Sequence, residues 1–140
     1  MSDLLAPAQL RSELHRMGFV LQRRRGAFLF HRGDPGKGVF LVRKGSVTLQ
    51  LDGAELLPSR RLGPGSILGL PATLAGTTYS LAAEVREDAE LDFISREDLL
   101  TLMRKDSALC LQAMDLLSKE IASLRSVFVT CKPKKNAASN

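Results

Sequence analysis

The sequence predicts a mainly β domain of the α+β class, in which a barrel or sandwich of short strands is flanked by helices. Three observations predict it. Short apolar runs cut by turn residues fill the middle of the chain, helical spacing of apolar residues precedes them, and a longer helical pattern follows them. With 140 residues, of which 44% are hydrophobic and 25% charged, the chain is long enough for one domain with its own core.

The predicted strands are aliphatic and aromatic runs bounded by glycine, proline, aspartate or lysine. They are Phe19–Gln22, Phe28–His31, Val39–Val42, Ser46–Leu51, Arg60–Leu62, Ser80–Val85 and Glu90–Ile94. The turns expected between them include Gly33–Gly36, Lys44–Gly45, Asp52–Gly53 and Gly63–Gly65. Val47, Leu49 and Leu51 alternate with polar residues, so we expect that strand to bury one face.

Three helices are predicted before the last helix of the chain. Leu10, Leu14 and Met17 predict one over residues 7–17, which Gly18 ends. Residues 70–74 predict a helical turn within the strand region, with Pro71 suited to its start. Residues 95–98 match a capping box and therefore predict a further helix start after the last strand.

The last helix carries apolar or cysteine residues in alternating steps of four and three, which is a heptad seam. The seam consists of Cys110, Met114, Leu117, Ile121, Leu124, Phe128 and Cys131. Leu109, Leu111 and Leu116 offer a second stripe for packing on the barrel, so the seam predicts a homodimer. The alternative is a helix that is buried once, on its own barrel.

Lys132–Pro133 is expected to end this helix, because the residue before proline avoids the helical conformation. We therefore divide the chain into a barrel domain over 1–105, a dimerisation helix over 106–131 and a mobile basic and polar tail over 132–140.

Several classes of function lack supporting residues. No apolar run approaches the roughly 20 residues of a membrane span, and the start of the chain is unlike a signal peptide. Two cysteines favour a reducing cytoplasm. His15 and His31 have no metal-ligand spacing, and phosphate-loop and nucleophile-elbow motifs are absent. We expect no catalytic residues, no metal, no cofactor and no membrane partner.

The net charge of +5 is a mild excess, and its clusters lie at Arg23–Arg25 and Lys132–Lys135. We interpret both as solvated surface. The alternative is contact with a phosphate or an acidic partner.

Longer segments carry a family resemblance. Gly33–Pro35 followed by Gly38–Val47 is similar to the Gly-Asp and Phe-x-aliphatic-x-x-Gly-x-Val segment of the cyclic-nucleotide-binding domain. Gly65–Gly69, Ser80–Ala83 and Glu90–Arg96 resemble later parts of that domain. The set is most similar to the effector domain of bacterial Crp/Fnr-type regulators, across about residues 5–130.

This resemblance implies a double-stranded β-helix, or jelly-roll barrel, with an N-terminal helix and a C-terminal helix pair. It also implies a regulatory module that dimerises. Crp/Fnr-type regulators usually continue into a winged helix-turn-helix, whereas only residues 132–140 follow Cys131 here. DNA contact is therefore expected only through a missing or separate domain.

The resemblance also places a phosphate-binding cassette on Gly69, Leu70, Pro71, Ala72, Tyr79 and Ser80. In the family a Glu binds the ribose hydroxyl and an Arg neutralises the cyclic phosphate. Leu70 and Tyr79 stand at those places here, so we do not expect cAMP or cGMP to bind in the usual way. Either these side chains fill the pocket, or the pocket takes a less charged ligand with Tyr79 and Ser80 as polar contacts.

The hypothesis from sequence is a ligand-sensing regulatory module. A small-molecule or protein partner would contact residues 70–80 and shift the C-terminal dimer helix, and that movement would be the output. The alternative is the effector half of a Crp/Fnr-type transcriptional regulator that lacks its DNA-binding domain.

Overall fold

A computed structural model of the protein describes residues 5–51 and 60–138, with side chains over 5–51 and 61–122. Helices and strands follow one another in the predicted order. They are α1 (Ala8–Met17), β1 (Phe19–Arg23), β2 (Phe28–Phe30), β3 (Gly38–Gln50), β4 (Arg60–Leu62), β5 (Ile67–Leu68), α2 (Leu70–Ala75), β6 (Ala82–Ser95), α3 (Arg96–Lys105) and α4 (Ser107–Ala138).

The sheet is built on the antiparallel pairing of β3 with β6, which runs from Gly38 opposite Ser95 to Gln50 opposite Ala82. β1 and β2 also pair with β6, and β4 and β5 pair with β3, all of them antiparallel. A mainly antiparallel sheet flanked by helices at both ends confirms the predicted α+β jelly-roll architecture.

The turn predicted at Lys44–Gly45 is wrong, because the chain continues as strand through it. Lys44–Gly45 lies inside β3, where the register shifts on either side of Lys44 and Gly45 has a φ of +84°. A left-handed glycine lets a strand bulge without ending. The strands predicted at 80–85 and 90–94 are joined into one strand, β6, which begins at Ala82 and leaves residues 80 and 81 outside it. The predicted turn at Asp52–Gly53 lies outside the described residues.

Sequence patterning also missed β5, because a two-residue strand is too short to show a period. Its residues Ile67 and Leu68 pair with Leu41 and Phe40 of β3.

The buried residues form two clusters on opposite faces of the central strands. One fills the barrel interior and includes Phe30, Phe40, Leu49 and Tyr79. The other lies between the barrel and the helices and includes Leu10, Leu14, Leu70, Leu99 and Leu116.

α4 packs on the barrel through one stripe, in which Leu109, Ala113 and Leu116 are buried. Leu111, assigned by sequence to this stripe, is instead 70% exposed, because steps of four and three from Leu109 reach Ala113 and Leu116. Met114 and Ile121 of the predicted seam are 52% and 44% exposed in the single chain.

α4 also continues to Ala138, beyond the end predicted at Cys131. The preference of the residue before proline for extended backbone has exceptions in proline-containing helices, and Pro133 lies within this one. The side chains of Leu124, Phe128 and Cys131 lie outside those described, and the mobility of 132–140 stays a prediction. None of the described helices combines the length and apolar character that crossing a membrane requires.

The predicted capping box is formed in part at the start of α3, where the Ser95 hydroxyl accepts a hydrogen bond from the Asp98 amide at 3.1 Å. We expect Ser95→Ala to lower the free energy of unfolding by about 1 kcal/mol, because an amide of the first turn loses its partner. Urea denaturation measures this. Ser118→Ala, at an exposed position of α4, is the control and should change stability little. Equal stability of Ser95→Ala and wild type would contradict the cap.

Candidate ligand pocket

The predicted cassette forms a tight turn between β5 and α2. Gly69 adopts a φ of +86°, and a Cβ added there would lie 2.8 Å from the ring of Tyr79. Position 69 therefore requires glycine, both for its left-handed backbone and for the close approach of the Tyr79 ring. α2 then begins at Leu70, with Pro71 in its first turn.

A cleft opens beside this turn, and it brings together most of the predicted site residues. Gly69, Pro71, Ala72, Tyr79 and Ser80 line it, together with Phe30, Leu49, Leu81 and Glu120. It encloses about 30 Å³ of space for the centres of water molecules. That is room for about one or two waters, far less than the roughly 300 Å³ at which small-molecule pockets begin.

Tyr79 accounts for the small volume. Its ring stacks on Phe30 with 3.8 Å between the centroids and an interplanar angle of 13°. Its hydroxyl donates to the Gly38 carbonyl at 2.6 Å, and the Thr73 hydroxyl donates to the same carbonyl at 2.8 Å. The ring is therefore held against the barrel interior at one end and tied to the start of β3 at the other.

Burial raises the pKa of Tyr79 above the ordinary tyrosine value, because a phenolate would lose its hydration inside the barrel. The Gly38 amide, 3.4 Å from the phenol oxygen, partly offsets this rise in pKa. The hydroxyl therefore stays neutral in the folded protein at ordinary pH, and it carries no charge toward the cleft.

The predicted place of Leu70 needs correction. Leu70 is 1% exposed and belongs to the cluster beneath the helices, so it does not line the cleft. As the first residue of α2, it packs with Val39 and Ile67 on the opposite face of the barrel wall. A carboxylate at this position would be buried among aliphatic side chains without a partner of opposite charge in that cluster.

Glu120 was not predicted as a site residue. It lies on α4, is 4% exposed, and brings a carboxylate to the cleft wall. A signal was present in the sequence, because Glu120 continues the barrel-facing stripe of Leu109, Ala113 and Leu116 at helical spacing. An acidic residue within a buried apolar stripe indicates that its carboxyl group makes a specific contact. The sequence gives no such signal for Phe30, Leu49 and Leu81, which are apolar residues typical of a core.

Arg96 joins α3 to the cassette. Its Nε donates to the Thr73 carbonyl at 2.7 Å, and its guanidinium lies against Gly76, the residue that ends α2. A cation at the carboxyl end of a helix binds carbonyl groups that have no partner within the helix. The side chain therefore fixes α2 to the helix pair as well as to the barrel.

The buried tyrosine makes a titration prediction. Tyr79 is the single tyrosine of the chain, so the near-ultraviolet absorbance of tyrosinate reports on it alone. The folded protein should ionise at higher pH than the urea-unfolded chain, which should titrate near pH ~10. Because the raised pKa belongs to the folded state, the free energy of unfolding should fall as pH rises above about 10. Equal midpoints in both states would contradict the burial of this hydroxyl.

Comparison with known proteins identifies the family. The profile of the cyclic nucleotide-binding domain matches residues 20–106, more than half of the chain. The cyclic AMP receptor protein of Thermus thermophilus is 37% identical over 83 residues, which are 57% of this chain and 38% of that protein. The matched segment thus spans less than half of that relative.

Solved structures agree on the fold. A bacterial protein from work on a cyclic-GMP-dependent signalling pathway of phytopathogenesis aligns with a TM-score of 0.74 and 26% identity, over 87% of this chain and 96% of that one. The catabolite activator protein of Thermus thermophilus aligns with a TM-score of 0.67 and 27% identity, over 90% of this chain and 59% of that one. With a barrel, a cassette turn and a terminal helix pair in the family's order, this chain belongs to the cyclic nucleotide-binding domain family and is a regulatory binding domain of the Crp type.

Proposed function

We propose that this domain is a dimerising cytoplasmic regulatory module whose cassette pocket is closed by its own Tyr79 and does not bind cAMP or cGMP in the family's usual way. The observation that carries the proposal is the position of Tyr79, which stacks on Phe30 and donates to the Gly38 carbonyl. A neutral side chain thereby takes the space in which the family's arginine would meet a phosphate.

The chemistry of the cleft also opposes an anion. A cyclic phosphate needs cationic or N–H donors, whereas the ionisable side chains of this lining are the neutral phenol of Tyr79 and the carboxyl group of Glu120. Pro71 has no amide N–H to give. A hydrogen bond to a charged group is worth about 1.5–3 kcal/mol, so losing both family partners would weaken binding by more than a hundredfold.

We propose that α4 transmits the signal of the domain, because this helix borders the cleft and also carries the predicted seam. Glu120 faces the cleft, and its neighbour Ile121 is exposed on the seam side. Met114, which lies seven residues before Ile121, is also exposed, and Cys110 is half-buried. Leu117, which lies between Met114 and Ile121 in the seam, is partly buried against the chain's own cluster beneath the helices. It is the exposed apolar side chains of Met114 and Ile121 that support a dimer interface. A change in the cleft would then be transmitted as a shift of α4.

A second candidate function is the effector half of a Crp/Fnr-type transcriptional regulator. The length comparison favours it, because the matched segment covers only 38% of the Thermus cyclic AMP receptor protein. Sequencing the gene and its transcripts for a following helix-turn-helix segment tests this candidate. A gene that ends at Asn140 would leave DNA binding to another protein.

Calorimetry tests the closed pocket. Wild-type protein should bind cAMP and cGMP with dissociation constants well above micromolar. Tyr79→Arg should raise the affinity for cAMP about tenfold or more over Tyr79→Leu, because both variants remove the ring while the first also supplies a charge-assisted donor. Tight binding by wild type would overturn the proposal. Equal affinity of the two variants would mean that position 79 does not face the phosphate.

Light scattering tests the dimer. Wild-type protein at tens of micromolar should be a dimer. Met114→Asp with Ile121→Asp should give a folded monomer, because four carboxylates would meet in one apolar seam. Ala108→Asp with Ala122→Asp adds the same charge at exposed α4 positions away from the seam, and should leave the dimer intact. A monomeric wild type, or equal dissociation of both double variants, would contradict the seam.

A further inference from the structure

A second and larger cleft lies between α1, β3 and the turn that precedes β5. We name it the α1 cleft, and the side chains that matter are Arg11, Ser12 and His15 of α1 and Arg43 of β3, beside Gly65. Its volume is about 400 Å³, within the range of pockets that bind small molecules. The cassette pocket, at about 30 Å³, is below that range.

The polar side chains of the α1 cleft lie beside apolar residues, and none of the described residues that line it is acidic. Arg11 is the clearest donor of hydrogen bonds among them. Its guanidinium makes no hydrogen bond or ion pair with the described residues, and its Nη1 lies 2.9 Å from where a Cβ on Gly65 would stand. The glycine therefore leaves space for an arginine head that has no partner within the described chain.

Two carboxylates lie behind the cleft and orient the other donors. The Asp92 side chain is fully buried, and its Oδ2 lies 3.0 Å from Nδ1 of His15 and 3.7 Å from Nε of Arg43. Nη1 of Arg43 donates to Glu90 at 3.3 Å. Asp92 and Glu90 offset the charge of Arg43, while Nη2 of Arg43 keeps its capacity to donate to a ligand. Arg11 is the surplus cation.

The lining distinguishes this cleft from a third one of similar size. That cleft, about 420 Å³ beside Arg23, Arg24 and Lys44, also has Asp88 and Glu90 among its lining residues. Its cations therefore meet acidic groups within the cleft itself. In the α1 cleft, by contrast, no acidic residue is among the described lining residues.

The geometry points to the α1 cleft as a binding site for a phosphate monoester, separate from the cassette pocket and beyond the proposed function. Guanidinium groups match the oxygens of a phosphate through paired N–H donors, and Arg11 and Arg43 approach from two different elements. The volume exceeds what a bare phosphate group fills, so the organic part of an ester has room beside Leu41 and Val42.

Nuclear magnetic resonance titration tests this site, with the ring signals of His15 as the reporter. The probes are ribose 5-phosphate, inorganic phosphate and unphosphorylated ribose. Both phosphates should shift the His15 signals saturably, whereas ribose should not. Tighter binding of ribose 5-phosphate than of inorganic phosphate would support recognition of the ester. Saturable binding of inorganic phosphate alone, or of neither phosphate, would overturn the proposal.

The matched variants are Arg11→Gln and Arg16→Gln. Arg16 lies on the same helix, is exposed, pairs with Glu13 and is outside the lining of the cleft. Arg11→Gln should weaken ribose 5-phosphate about tenfold or more, since one charge-assisted contact is lost, while Arg16→Gln should bind as wild type does. Equal weakening by both variants would show attraction to the general surface charge and would contradict a built site. Circular dichroism of each variant checks that α1 remains folded.

Discussion

The pairing of β3 with β6 is the constraint on which the rest of the domain depends. Side chains alternate across this pair, so Phe40 and Val42 enter the barrel interior while Val39 and Leu41 face the helices. A slip of one residue would exchange the two sets and expose both clusters. The pairing therefore decides where the helices dock, and the bulge at Gly45 accommodates an irregular register without breaking the strand.

The same pairing fixes the cassette. At the start of β3, a Cβ on Gly38 would lie 2.4 Å from the Ile94 carbonyl and 2.5 Å from the Phe93 ring. Only glycine permits this approach, and the approach presents the Gly38 carbonyl to Tyr79 and Thr73. The small volume of the cleft thus depends on strand geometry as well as on the residue at position 79, and a neutral phenol suits this place because the Gly38 carbonyl accepts a hydrogen bond from its hydroxyl.

The features that could be predicted from the sequence are those that depend on local periodicity. Alternation at Val47 and Leu49, the cap at Ser95 and the proline start of α2 each express a rule that acts within a few residues. The places of Leu70 and Glu120 depend on tertiary packing instead. Packing sets the direction of the Leu70 side chain at the start of α2, and it sets the approach of α4 that brings Glu120 to the cleft. The family resemblance pointed to residues of which most line one cleft, but it could not orient their side chains.

The energetics of the cassette pocket limit the action on α4 that we propose for it. To shift a two-state equilibrium from about 1:99 to about 99:1, a ligand must bind one state about 5.5 kcal/mol more tightly than the other. A cleft of about 30 Å³ admits one or two non-hydrogen atoms, and even the best small ligands gain only about 1.5 kcal/mol per atom. A ligand confined to the cleft as it stands is therefore too small to drive such a switch. An effector acting here must displace the ring of Tyr79 from Phe30 and from Gly38, and the energy to do so must come from contacts that a larger ligand or a partner protein makes outside the cleft.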